Sequence, residues 1–165
     1  MEMRLERVER FKVVGIRIID KMENLNVRIQ QAAKELQERM REIRGVKNPN
    51  VLYGISPPNY KGNPGPFDFY VCIEVDPFEN LPHGMVNITI DPQLYAVCTY
   101  DEDSMNNKGN AYDYTTSWLQ ENGYEYFDAA YYFEVYNIEG EWTNLEDLDD
   151  VHNRMKVYSP VRKGG

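Results

Sequence analysis

Apolar positions along this chain recur at two periods, and the order in which the periods change outlines a fold. Phe11 to Ile19 (FKVVGIRII) is dense in β-branched residues and predicts a strand, with Gly15 as a candidate bulge. From Asn24 onward Leu25, Ile29, Ala32, Ala33, Leu36, Met40 and Ile43 recur at steps of three and four. That is an amphipathic helix with Asn24 as its cap and Gly45 as its stop. Asn48-Pro49-Asn50 turns the chain into a short strand at Val51 to Ser56, ended by Pro57-Pro58, and a Gly/Pro loop leads to an alternating strand at Phe67 to Val75. After a linker at Pro77 to Gly84 the order repeats. Met85 to Thr99 predicts one long strand or a strand broken at Asp91-Pro92. Ala111, Tyr114, Thr115, Trp118 and Leu119 form the stripe of a second helix closed by Asn122-Gly123. Ala129 to Tyr136 and Met155 to Val161 predict two further strands around an acidic loop. Strand, helix, strand, strand thus occurs twice. The inferred architecture is α+β, a duplicated βαββ unit within one 1–165 domain, with half-repeats of about 1–76 and 85–165, one sheet, and both helices on one face.

Composition bounds what such a domain does. The chain has 165 residues, and a 42% hydrophobic share is enough for one core and excludes wholesale disorder. The net charge of -9 argues against gripping nucleic acid directly and points to cationic partners. Charge is unevenly divided: residues 1–45 hold eleven basic and eight acidic groups, whereas residues 46–165 hold seven and nineteen. The densest acid, Glu139, Glu141, Glu146, Asp147, Asp149 and Asp150, reads as a solvated loop or as a surface for a basic protein partner. Neither that cluster nor Asp101-Glu102-Asp103 has the Asp/Asn and central Gly pattern of a calcium loop. Cys72 and Cys98 lie in apolar runs without a CxxC and read as reduced core thiols. No signal-like or membrane-spanning apolar run occurs, so a cytoplasmic protein is expected.

The motifs for common catalytic plans are absent: there is no GxSxG, HExxH, Walker A or GxGxxG sequence, and His83 and His152 read as ordinary surface histidines. No cofactor or metal is expected. What stands out is thirteen Tyr against six Phe and two Trp, and one carboxylate among them. In Tyr131-Tyr132-Phe133-Glu134-Val135-Tyr136 the strand period places Tyr132, Glu134 and Tyr136 on one face and Tyr131, Phe133 and Val135 on the other. If that first face is solvent, Glu134 is a soluble strand position. If it lines a pocket, the carboxylate loses hydration and a ligand cation meets the need. Each ring then adds about 0.5 to 2 kcal/mol of cation–π attraction, against about 8 kcal/mol for micromolar binding.

At these residues the chain resembles the GyrI-like small-molecule-binding proteins, also found as effector-binding domains of multidrug-responsive transcription regulators. The resemblance runs through Val14-Gly15-Ile16, Tyr53-Gly54-Ile55, Tyr70, Thr89-Ile90, Tyr95-Ala96-Val97, Trp118-Leu119, Gly123-Tyr124, Phe133-Glu134 with Tyr136, and Tyr158 with Pro160. It implies two βαββ units about a pseudo-twofold axis and a cleft between them where rings stack on cationic or polyaromatic xenobiotics. Glu134 matches the family's buried glutamate, and Tyr70, Trp118, Tyr136 and Tyr158 match aromatic positions, with Tyr53 and Tyr132 as further candidates. The DNA-binding region of the family's regulators has no counterpart here, so a stand-alone sensor or sequestering protein is expected. Lys156 shares a strand face with Tyr158, and on the cleft wall it would compete for the charge of Glu134. Two alternatives remain open. Some relatives hydrolyse strained cyclopropane-bearing electrophiles, which would make Glu134 a catalytic base with Tyr70 or Tyr158 as donor. Others resemble gyrase inhibitors, which would make the acidic surface an interaction module.

Overall fold

A computed structural model describes residues 2–62, 64–99, 111–137 and 156–165. In chain order the elements are β1 (Glu2–Val8), β2 (Phe11–Asp20), α1 (Met22–Arg39), β3 (Val51–Ser56), β4 (Phe67–Val75), β5 (Val86–Ile90) and β6 (Gln93–Thr99). Then come α2 (Ala111–Asn122), β7 (Tyr124–Tyr126), β8 (Tyr132–Asn137) and β9 (Lys156–Lys163). Short 3-10 turns follow α1 at Met40–Glu42 and precede β4 at Tyr60–Gly62. The acidic cluster at 139–150, Asp101-Glu102-Asp103 and His152 lie outside the described residues.

All strand pairs are antiparallel, and the sheet runs β1-β6-β9-β8-β3-β4-β2-β5, with β7 added to β9. The order is a palindrome: exchanging β1 with β5, β2 with β6, β4 with β9 and β3 with β8 reverses it onto itself. The pseudo-twofold axis therefore falls between β3 and β8. The outermost strands are exchanged between the halves, because β1 pairs with β6 and β5 pairs with β2. Each half thus closes an edge of the other, which removes a row of unpaired backbone groups from the inner strands.

One local alternative is decided and two expectations change. The 85–99 run breaks at Asp91-Pro92 into β5 and β6, as a residue without an amide hydrogen favours. Gly15 is no bulge, since the register of β2 with β4 and β5 runs through it unbroken. Its hydrogen side chain instead permits close approach: a Cβ there would stand 2.0 Å from the Val71 carbonyl oxygen and 2.6 Å from Cys72 Cα. Asn24 is not the helix cap but lies in the first turn. Asp20 Oδ1 takes the Lys21 amide at 2.7 Å and the Asn24 side-chain amide at 2.9 Å, which sets a carboxylate at the positive end of the helix.

Both helices pack on one face. From α1, Leu25, Ala32, Ala33 and Leu36 are buried against Val14, Ile18, Val71 and Ile73, the paired alanines letting the helix lie close to the sheet. From α2, Leu119 is buried with Ala96 and Val161, beside the partly buried Trp118 and Tyr124. Tyr114, placed on the stripe by spacing, is 44% exposed; the 100° step of the helix turns Tyr112 inward instead. The opposite face is apolar as well. Val13, Ile55, Cys72, Ile88, Tyr95, Val97 and Phe133 form a second buried cluster, overlaid by the half-buried rings of Phe11, Tyr53 and Tyr158.

Candidate functional site

The strand period of β8 sends Tyr132, Glu134 and Tyr136 to the helix side of the sheet. Glu134 faces Gly54 across the β3–β8 pair, at the strand junction where the pseudo-twofold axis lies. The missing side chain at Gly54 makes room there. A Cβ would meet Phe69 Cζ at 2.7 Å and Glu134 Oε2 at 3.7 Å, so both groups fold into space that any other residue would fill.

Two phenols hold the carboxylate. Tyr136, two residues along β8, donates to Oε2, and Tyr112, from the first turn of α2, donates to Oε1. Burial first, then the charge of Glu134 and the hydrogen bond itself, hold the Tyr112 hydroxyl well above its ordinary value, so it stays protonated and donating. Tyr60 is pushed up to about 12, by burial and then by the same carboxylate.

From Tyr60 the wall continues outward. Its ring meets Tyr132 edge-on at 4.9 Å, and Tyr132 lies 6.1 Å from Tyr126. Tyr132 donates to Asp128, and Tyr126 shares a 2.7 Å hydrogen bond with Thr116 of α2. At the end of this wall the chain supplies a cation of its own. Lys61 Nζ sits 3.1 Å from the Tyr126 ring centroid and 5.0 Å from that of Tyr132. Burial lowers the Lys61 ammonium below its ordinary value, with Asp128 opposing the shift.

The residues singled out from sequence therefore divide. Glu134, Tyr136 and Tyr132 come together on the helix side. Tyr53, Tyr70 and Tyr158 belong to the opposite face, because their registers put them with Phe133 and Val135 rather than with Glu134. Trp118 stacks on Tyr124 at 6.2 Å, at the edge of the core under α2. Lys156 pairs in register with Val135 and so lies on the face away from Glu134, where it offers that carboxylate no competition. Sequence reasoning missed Tyr112, Tyr60 and Lys61. Tyr112 had a faint signal in its place at the start of a helix, one step off the counted stripe, while Tyr60 and Lys61 sit in a proline-bounded loop without periodicity.

The helix-free face carries a broad basin of about 890 Å³. Its floor includes Phe11, Tyr53, Phe133 and Tyr158, and Glu74 and Lys156 are among its charged lining. Among the described residues no helix is long and apolar enough to cross a membrane.

No curated protein matches the chain. Among solved structures, an EcmrR chain in a cryo-EM EcmrR–DNA complex is similar over 98% of this chain and 57% of its own, with 20% identity and a TM-score of 0.66. This chain thus spans little more than half the length of that protein. The isolated EcmrR C-terminal domain is similar over 98% of both chains at 21% identity, with a TM-score of 0.62. SAV2435 bound to tetraphenylphosphonium follows at 17% identity, 98% and 94% coverage, and a TM-score of 0.59. At these identities the likeness establishes the fold alone. The model of Cass2, integron-associated effector binding protein, matches residues 4–161, and the chain accordingly belongs to this GyrI-like family of effector-binding domains.

Proposed function

We propose that this domain captures flat cationic or polyaromatic compounds on the helix side of the sheet, with Glu134 as counter-charge and Tyr60, Tyr112, Tyr132 and Tyr136 as walls. The observation that carries the reading is the carboxylate held by two phenols at the strand junction of the pseudo-twofold, continuous with a tyrosine surface that already seats an ammonium. Two donated hydrogen bonds hold the carboxylate between the rings, where it serves a cation as counter-charge. Delocalised lipophilic cations suit it because they are weakly hydrated and present apolar faces to the rings. SAV2435, whose structure is described as bound to tetraphenylphosphonium, supports this choice of probe.

The site completes itself only when Lys61 leaves the rings or shares them, so ligand and lysine compete for the Tyr126 and Tyr132 faces. A role in regulating transcription is consistent with the EcmrR–DNA neighbour, the present domain serving as the sensing part. The test is calorimetric titration of tetraphenylphosphonium into the wild-type chain and into Glu134→Gln, with recovery of the compound afterwards. Saturable binding weakened by Glu134→Gln, with the compound returned unaltered, is expected. Absence of binding, or binding indifferent to Glu134, would defeat the reading.

A further inference from the structure

The basin on the helix-free face is walled off from Glu134 by the sheet itself, and its chemistry is different. Four rings form its floor. Phe133 and Tyr158 are stacked at 4.5 Å with planes 15° apart, and Phe11 lies 5.5 Å from both Tyr53 and Phe133. The acids nearest these rings are already satisfied. Glu74 accepts the Tyr53 hydroxyl at 3.0 Å and pairs with Lys47 at 3.1 Å. Glu6 pairs with Arg4 at 2.8 Å and accepts the Tyr158 hydroxyl at 3.4 Å.

The cations differ. Lys156, half-buried and two residues from Tyr158 along β9, forms no ion pair with a carboxylate among the described residues. Arg10 and Lys12 line the same basin and likewise form no such pair, Lys12 lying instead over the Phe78 ring at 5.8 Å. Glu9 and Asp76 also line the basin, Asp76 close enough to Lys47 to help keep that lysine charged. To reach the acids that bond these rings, an incoming cation would have to displace Lys47 from Glu74 or Arg4 from Glu6; Glu9, exposed and without an ion pair among the described residues, is the exception. An incoming anion finds an ammonium beside a ring floor with no such exchange to make.

We propose that this face is a second binding site, separate from that of Glu134, and that it takes a flat aromatic anion, its ring over Phe133, Tyr158 and Tyr53 and its carboxylate or sulfonate on Lys156. The basin has room for two or three fused rings. Affinity is set by ring contact, and charge selects among rings of equal shape.

The probes are 2-naphthoate and its neutral isostere 2-naphthamide, titrated into the full chain by calorimetry and by NMR of the tyrosine rings. Saturable naphthoate binding is expected, with shifts at Tyr158 and Tyr53 and none at Tyr112. Lys156→Gln should weaken naphthoate about fivefold and leave the amide unchanged, and Lys156→Arg should restore it. Glu134→Gln should leave both probes as they were. The proposal is overturned by a lack of saturable naphthoate binding, by equal affinity in wild type and Lys156→Gln, or by shifts that centre on Tyr112. Since it uses none of the residues around Glu134, it survives or fails independently of the cation site.

Discussion

Glu134→Gln removes one charge and leaves the shape of the site nearly intact. The amide oxygen still accepts from one phenol, and the amide nitrogen donates to the other, whose hydroxyl turns to accept. The cost in folding stability is therefore small, at most about 1 kcal/mol. The cost in cation binding is larger. A unit charge about 5 Å from the carboxylate gains about 3 kcal/mol at an effective dielectric near 20. Glu134 is half-buried rather than sealed, so solvent screening takes roughly half of this and leaves about 1.5 kcal/mol, close to tenfold in affinity. The assay is paired calorimetry with tetraphenylphosphonium and the neutral triphenylphosphine oxide, which share three phenyl rings and differ in charge. The expected result is a tenfold loss for the cation and less than twofold for the oxide, with the cation's advantage narrowing as salt is raised. Equal losses for both compounds would mean that Glu134 shapes the site rather than charging it, and the reasoning would be refuted.

Removing the resident cation should act in the opposite direction. Lys61→Gln frees the Tyr126 and Tyr132 faces and should tighten tetraphenylphosphonium a few-fold, by about 0.5 to 1 kcal/mol, in the same titration; weaker binding would show that Lys61 supports the wall instead. The same competition gives a pH dependence. Because burial lowers the Lys61 ammonium, that charge is lost before pH reaches the ordinary lysine value of 10.5. Affinity for a permanent cation should rise as pH climbs through that range, and Lys61→Gln should flatten the profile. In the fold, Gly15→Ala drives a methyl group into the β4 backbone and should cost at least about 3 kcal/mol in urea unfolding, whereas a loss under 1 kcal/mol would show that β2 and β4 part easily.

Much of the architecture was legible because its elements carry strong periods. The bounds of β3 and β4 agree with the alternation and turn residues that predict them, whereas α1 starts at Met22 and ends at Arg39, leaving Met40 in the 3-10 turn, Ile43 beyond it and Gly45 well past the helix end. The strands that escaped are instructive. In β1, Met3 and Leu5 alternate with Glu2, Arg4 and Glu6, but dense charge masks a period carried by only two apolar residues. At three residues, β7 is too short to show any period and exists because β9 is beside it.

Sequence by itself determined that two similar halves share one sheet, that β8 divides its side chains in alternation, and that Glu134 falls with Tyr132 and Tyr136. Alternation sorts residues into two faces without saying which face the helices cover. When one face is polar, composition answers that question. Here both are apolar, with Tyr132 and Tyr136 on one side and Phe133 and Val135 on the other, so only packing could decide. It placed Tyr53, Tyr70, Tyr158 and Lys156 across the sheet from Glu134. It also brought Tyr112 and Tyr60 to the carboxylate from segments 22 and 74 residues away, distances over which no local pattern acts.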